Sequence, residues 1–280
     1  MKLALLGDLH YYRPIDSVES SRHEAFFNNV FKAFFRNHYD YYISLGDMTH
    51  FGTPEEFQEI YSVIGSFDSS EDFQQILGNH DAISQSKYDL KKQLGIPLYW
   101  SIDHKDARLI FLDTTREKSP SEWSGIVESA QLEWLEKEIE ASNTKPVLIF
   151  SHHPIYNTTD HSTENGLYIS NSDEIEEILS RKKGVGVFFN GHNHTHSIAH
   201  KNGWHFVQSA AVLCSLSYRE VEVTENRITI NTVFIKNPEL DQLRQLIAEN
   251  LDGFALIPGE LAAGEERDHS LIVDLVKTKI

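Results

Sequence analysis

Apolar and polar positions follow a strand, helix, strand rhythm over the first two thirds of the chain. Lys2 to Leu6 is an apolar run of strand length, and Val18 to Asn37 carries Phe26, Val30, Ala33 and Phe34 at helical spacing. That spacing predicts a helix covering one face of a sheet. Tyr41 to Leu45 reads as the second strand, and Thr53, Pro54 and Glu56 supply the N-cap, first-turn proline and capping-box acid of a helix running to about Phe67. The strand Phe73 to Leu77 comes next, then a helix near Ser84 to Leu94, then two short strands, Leu98 to Ile102 and Ala107 to Leu112, around the polar turn Asp103 to Asp106. Ser129 reads as the cap of a helix with Leu132, Leu135 and Ile139 on its face and Trp134 beside it. Pro146 to Phe150 is a strand, and Tyr156 to Ser172 is polar, irregular and long enough for a substrate-facing loop. A helix from Asn171 or Ser172 to about Lys183 leads into the strand Val185 to Phe189.

Past Phe189 the alternation gives way to strands alone. Trp204 to Gln208, Tyr218 to Val223 and Ile228 to Ile235 alternate or are β-branched, with Thr224, Glu225 and Asn226 as a hairpin turn. A helix from Pro238 to about Leu251 shows Leu240, Leu243, Ile247 and Leu251 on one face and stops at Gly253. Phe254 to Ile280 carries no catalytic pattern.

The residues just past the strand ends are harder to explain as structure. Leu77-Gly78-Asn79-His80-Asp81 places an amide, an imidazole and a carboxylate directly after an apolar run, with a glycine to shape the turn. Five apolar strands each end in such groups: Asp8 with His10, Asp47, Asn79 with His80, His152, and His192 with His194. The crevice beyond the carboxyl ends of parallel strands is where α/β sheets bind ligands. Oxygen and nitrogen donors without thiolate suit Mn, Fe, Zn or Co better than a structural zinc site.

Composition narrows the partners. A formal net charge of −17 argues against nucleic acid and anionic membranes, yet a bound cation can reverse the field locally for a small anionic substrate. The single cysteine, Cys214, suggests a reducing compartment, and no apolar run approaches membrane-spanning length, so a cytoplasmic protein is expected. Histidine, with 15 residues, is the notable excess.

The ordered set Asp-x-His, Gly-Asp, Gly-Asn-His-Asp, His-x-Pro and Gly-His-x-His, spanning Asp8 to His194, resembles the calcineurin-like metallophosphoesterase superfamily. Leu112-Asp113-Thr114, Gly125 and Gln131 to Glu136 make the chain most similar to its bacterial class III cyclic nucleotide and glycerophosphodiester phosphodiesterase branch. The resemblance implies an α/β fold (α+β in some schemes): a four-layer sandwich of two mixed β-sheets flanked by α-helices, with a dimetal site at the strand C-terminal ends. One ion would take Asp8, His10 and His194, the other Asn79, His152 and His192, and Asp47 would bridge them. The implied reaction is phosphodiester hydrolysis by in-line attack of a hydroxide held between two divalent or mixed-valence Mn, Fe or Zn ions, roughly 3.5–4 Å apart. Two divalent ions, less two carboxylates and a hydroxide, leave a site charge of about +1, which a third carboxylate in place of Asn79 would cancel. His80 would face the substrate as catalytic acid or oxyanion donor. Residues 1–235 would form the catalytic domain, and 236–280 a helix and tail acting as a cap or as the dimerisation element of a homodimer.

The neighbouring groups read less sharply. Arg13 is placed to touch a substrate phosphate or to be an exposed loop arginine, and His153 to contact substrate or to support a ligand. His196 resembles His153 in this respect. His50 stands where the related purple acid phosphatases have an iron-binding tyrosine, which argues against their charge-transfer chemistry. Asp81 could orient a neighbour or cap a turn. The rival functions are a phosphomonoesterase or nucleotide pyrophosphatase on the same metals, an Mre11-type nuclease, for which no basic track is present, and a non-catalytic scaffold, which would be expected to have lost ligands.

Overall fold

The computed structural model describes residues 1–14, 17–118 and 121–275. The element order is β1 (Lys2–Leu6), α1 (Ser17–Phe34), β2 (Tyr41–Ser44), α2 (Pro54–Ile64), β3 (Phe73–Gln75), α3 (Lys87–Leu94), β4 (Trp100–Asp103), β5 (Arg108–Phe111) and α4 (Ser129–Ser142). Then come β6 (Val147–Phe150), α5 (Ser172–Leu179), β7 (Gly186–Asn190), β8 (Ser197–Lys201), β9 (Trp204–Gln208), β10 (Ser217–Val223), β11 (Arg227–Phe234), α6 (Pro238–Asn250), α7 (Gly259–Ala262) and β12 (Ser270–Asp274).

Two six-stranded mixed sheets result, in the orders β12-β11-β10-β1-β2-β3 and β4-β5-β6-β7-β9-β8. In the first, β1, β2 and β3 are parallel; in the second, β5, β6, β7 and β9 are parallel. Side-chain alternation along β1 explains the layering: Leu3 and Leu5 point between the sheets, while Ala4 and Leu6 point at the helices. The inter-sheet layer joins Ile43, Leu45 and Val221 to Leu109, Leu148 and Val187, and a row of rings, Trp100, Phe111, Phe150 and Phe189, stacks across four strands with centroids 4.4, 4.9 and 5.3 Å apart. Phe26, Val30 and Phe34 of α1 and Leu240 and Ile247 of α6 cover the outer face of the first sheet. Leu135 and Ile139 of α4 and Ile175 and Leu179 of α5 cover the second. The four-layer sandwich expected from the motifs is therefore the observed fold.

Local signals translate unevenly into structure. Thr53 accepts from the Glu56 N–H and Glu56 from the Thr53 N–H, completing the capping box of α2. Ser129, expected as a cap, is instead the first residue of α4, whose N-cap, Glu128, makes no side-chain bond. β8 and β12 are additions to the expected strands. β12 is the edge of the first sheet, so the C-terminal segment is woven into the sandwich, and residues 276–280 of the expected tail lie outside the described residues. The buried Arg219 of β10 donates to Gln208 O of β9 and to Asp268 O, tying the two sheets to that segment. Among the described residues no helix is long and apolar enough to cross a membrane.

Candidate metal centre

Parallel strands in register deliver their trailing loops to one rim. Leu6 pairs with Ser44 and Ser44 with Gln75, while Phe150 pairs with Phe189. The loops after β1, β2 and β3 therefore face those after β6 and β7 across the gap between the sheets. Asp8, His10, Asp47, Asn79, His152, His192 and His194 converge there, none more than 9% exposed. Four of them, His10, Asp47, His192 and His194, have φ between 48° and 69°. This left-handed region costs a non-glycine residue of the order of 1–3 kcal/mol and collects at functional sites. Glycines permit the close approach: a Cβ on Gly191 would lie 2.1 Å from Asp8 Oδ1, and one on Gly78 would lie 2.1 Å from Asp47 Oδ1.

The histidines are turned the same way, outer nitrogen to the protein and inner nitrogen to the basin. His152 Nδ1 donates to Leu45 O (2.9 Å), His192 Nε2 to Gly166 O (3.1 Å) and His194 Nδ1 to Ala255 O (2.8 Å). His10 reaches a carbonyl indirectly, through His50: His50 Nε2 donates to Asp252 O (2.9 Å), so its Nδ1 is the acceptor for His10 Nδ1–H at 3.1 Å. In each case the inner nitrogen is the one turned to the basin, where it can take up a proton or, with that proton displaced, an ion. Those inner atoms crowd together: His10 Nε2 to His194 Nε2 at 3.1 Å, and His192 Nδ1 to His152 Nε2 at 3.2 Å. Asn79 Oδ1 is 3.0 Å from His152 Nε2, and Asp8 Oδ2 is 3.4 Å from His194 Nε2. Asp47 Oδ2 sits between the two groups, 3.8 Å from His10 Nε2 and 3.3 Å from His152 Nε2.

Such a gathering of acceptors needs cations. Asp8 Oδ1 is buried with no hydrogen-bond partner. Burial works against the charge of Asp47, but His152, His80 and His10 outweigh it and hold its carboxyl well below the usual range. Burial keeps His10 neutral and takes His192 down to about 3. At His152 burial is overcome by Asp47 and then Asp8, which raise it to about 9. The basin thus attracts positive charge, a proton or a metal ion, and its nitrogen and oxygen donors fit transition-metal ions. Clusters of three, Asp8, His10 and His194 in one and Asp8, Asp47 and His152 in another, have ligand atoms within 4.8 Å of one another.

The other predicted residues fall differently. His80 lies between His50 and Trp123, stacked on both at 4.7 and 5.6 Å, and its Nδ1 donates to His50 O (2.8 Å). His153 is buried with both ring nitrogens engaged, by Thr114 Oγ1 and Trp123 O at 2.8 Å, which leaves no nitrogen for a substrate. Arg13 pairs with Glu59 at 2.7 Å and lines a surface cleft with Tyr11, His23 and Ser62 that contains none of the seven candidate ligands. The polar groups of both are thus already engaged by the protein, Arg13 by Glu59 and His153 by Thr114 and Trp123. His196 bonds Ser217 and is away from the inner set. Asp81 acts as a clamp: it accepts from Thr49 N and Oγ1 (both 2.9 Å), Gly78 N (3.0 Å) and Met48 N (3.3 Å), fastening the loop after β2 to that after β3. Burial, and then the Asp47 charge, push it up to about 7. Trp123, Gly166 and the segment from Asp252 to Ala255 are additions to the expected site; they act mainly through backbone oxygens, for which side-chain pattern carries no signal.

Comparison with known proteins identifies a family and a fold. The family model described as calcineurin-like phosphoesterase matches residues 1–196. The glycerophosphodiester phosphodiesterase GpdQ of Enterobacter lignolyticus is 26% identical over 155 residues, 53% of this chain and 54% of that protein. A probable cyclic nucleotide phosphodiesterase of Rhodopseudomonas palustris is 27% identical, over 57% of this chain and 59% of its own length. The chain thus spans somewhat more than half the length of the curated relatives it matches. Among solved structures, a dimetal phosphatase from Danio rerio superposes with a TM-score of 0.67 at 16% identity, over 82% of this chain and 95% of that one, a likeness of fold.

Proposed function

Because the chain belongs to the calcineurin-like phosphoesterase family, we propose that it hydrolyses phosphodiester bonds with two metal ions. The observation that carries this reading is the pair of inward-facing donor sets on either side of Asp47 Oδ2. Asp8, His10 and His194 would hold one ion, Asn79, His152 and His192 the other, and Asp47 would be shared. Bound there, Mn, Fe or Zn ions supply positive charge for the phosphoryl oxygens and lower the pKa of water.

The chain's own residues orient and protonate. Asp47 Oδ1 accepts the His80 backbone N–H at 2.8 Å, and the His80 ring is clamped by its bond to His50 O and by Trp123. With Nδ1–H tied to His50 O, Nε2 is the nitrogen left facing the site, and it is the imidazolium form, carrying a proton on both nitrogens, that would hand the Nε2 proton to a leaving alkoxide or donate it to the developing oxyanion. An alkoxide is a poor leaving group, so an acid at that place lowers the barrier to its departure. With two carboxylates on the ions and Asn79 uncharged, the site remains cationic on a chain of net charge −17, which favours small anionic esters over polyanions that need a basic track.

The diester preference draws support from the glycerophosphodiester and cyclic nucleotide activities named for the relatives. Steady-state rates on bis(p-nitrophenyl) phosphate and p-nitrophenyl phosphate with Mn²⁺ test it. Faster turnover of the diester is expected; a monoester preference overturns the substrate reading and points to the phosphomonoesterase alternative.

A further inference from the structure

We infer that the strap of residues 252–257 is a positioning element for one ion site only, so that occupancy of the Asp8, His10, His194 site is coupled to strap docking. The inference rests on the two-ion reading above and concerns residues beyond the 1–196 span of the family match.

The strap touches that site in three ways. Ala255 O accepts His194 Nδ1–H at 2.8 Å, and Asp252 O accepts His50 Nε2–H at 2.9 Å. Between them Phe254 stacks on the His194 ring, with centroids 5.0 Å apart and planes at 23°, and sets its edge against His10 at 4.9 Å. The strap is held from behind by Ile257 N on Cys214 Sγ (3.3 Å), and Ala262 O further along accepts His196 N (2.8 Å). The second site has no such dependence: His152 is oriented by Leu45 O and His192 by Gly166 O.

The coupling is a matter of which nitrogen carries a proton. With Asp252 O in place, His50 keeps its proton on Nε2 and offers Nδ1 as an acceptor. His10 must then carry its proton on Nδ1, and Nε2 is left for a metal. Without that carbonyl, His50 can hold its proton on Nδ1, which turns His10 into the acceptor and moves its own proton to Nε2, the ligand atom. The strap thus selects the ligating tautomer of His10 through His50, and that of His194 directly. Loss of an outer partner of a ligating histidine costs roughly 10–100-fold in metal affinity.

The test counts ions and affinities. Metal content of purified protein and calorimetric titration with Mn²⁺ are compared for wild type, His50→Phe, which keeps a ring but breaks the relay, and Phe254→Ala, which loosens the strap. Wild type should bind two ions; each variant should bind one with unchanged affinity and the other roughly 10–100-fold more weakly. His50→Asn, whose amide oxygen lies near the place of the lost Nδ1, should restore the second ion. Both ions bound as in wild type, or both weakened equally, would overturn the inference; a wild type that binds fewer than two ions would instead overturn the dimetal reading. A further measurement needs no variant. Because coupling is reciprocal, Mn²⁺ should slow hydrogen exchange at the amides of residues 252–257 in the wild-type protein, and unchanged exchange there would refute the proposal.

Discussion

Gly78→Ala is the sharpest test of how the backbone builds the site. Gly78 lies outside the left-handed region, so its value is not freedom to turn but absence of a side chain. A Cβ there would stand 2.1 Å from Asp47 Oδ1, 2.3 Å from Asp47 N and 2.7 Å from Asp47 Cγ, whereas real Cβ atoms essentially never come within 3.0 Å of such neighbours. The Asp47 carboxylate must retreat by close to an ångström, and it cannot simply swing away, since the backbone nitrogen is also too near and Oδ1 holds the His80 N–H. Ligand distances tolerate about ±0.2 Å. A shift of that size is expected to empty or weaken both ion sites together, because Asp47 lies between them, and a misplacement near 1 Å costs roughly 10²-fold in turnover. Overpacking should also remove about 1–3 kcal/mol of stability. Gly203→Ala is the control: its φ of 82° strains an alanine, but nothing lies within 4 Å of the added carbon. It should cost about 1–2 kcal/mol and leave metal content intact. Metal content, turnover of bis(p-nitrophenyl) phosphate and denaturant midpoint are measured on both. A Gly78→Ala protein with two ions and wild-type turnover would refute the reasoning.

His80→Ala should keep both ions while turnover falls roughly 10²–10⁴-fold, and metal loss in that variant would make His80 a ligand instead. Asp81→Asn turns one acceptor oxygen into a donor facing buried N–H groups; leaving those unsatisfied should destabilise the chain by about 1–3 kcal/mol in urea titration, and a change within experimental error would contradict the clamp. Arg13→Ala removes only an exposed pair with Glu59, so stability should change by no more than about 1 kcal/mol and turnover by less than about twofold. A large rise in KM for that variant would return Arg13 to the substrate.

The first half of the fold was legible because most of its parallel strands, β1, β2, β6 and β7, are largely buried and read as mainly apolar runs with their chemistry just past the end, while the partly buried β3 is followed at once by Ile76 and Leu77. That same adjacency made the seven candidate ligands visible at once. Where burial is partial the signal faded: β8 begins directly after the ligand run and buries only Ser197, and β12 carries an apolar run of only three residues, Leu271 to Val273, of which Val273 alone is buried. Helix ends were blurred for a related reason. α2 keeps a capping box that marks its start, while α4 begins after Glu128 without any side-chain cap to announce it.

The site itself divides along a finer line. Residue types and spacing identify which groups carry donors, because aspartate, asparagine and histidine side chains are written in the sequence. They cannot say which nitrogen of a histidine faces the metal, because that is decided by what the other nitrogen meets. Here the deciding partners are backbone carbonyls 107 residues from His152, 61 from His194 and 202 from His50. Any residue type supplies a carbonyl, so only the folded chain reveals them. His50 and Asp81 looked ambiguous for this reason: the hydrogen bonds that define each of them reach backbone groups of distant segments. One hands a tautomer from the C-terminal strap to His10, and the other holds the Gly78 turn against the loop of Asp47. A homologous chain that kept all seven ligands but lost His50 or the strap would therefore match the motifs and still be expected to load its Asp8, His10, His194 site poorly, which makes the outer partners, and not the ligand count alone, the better guide to metal occupancy.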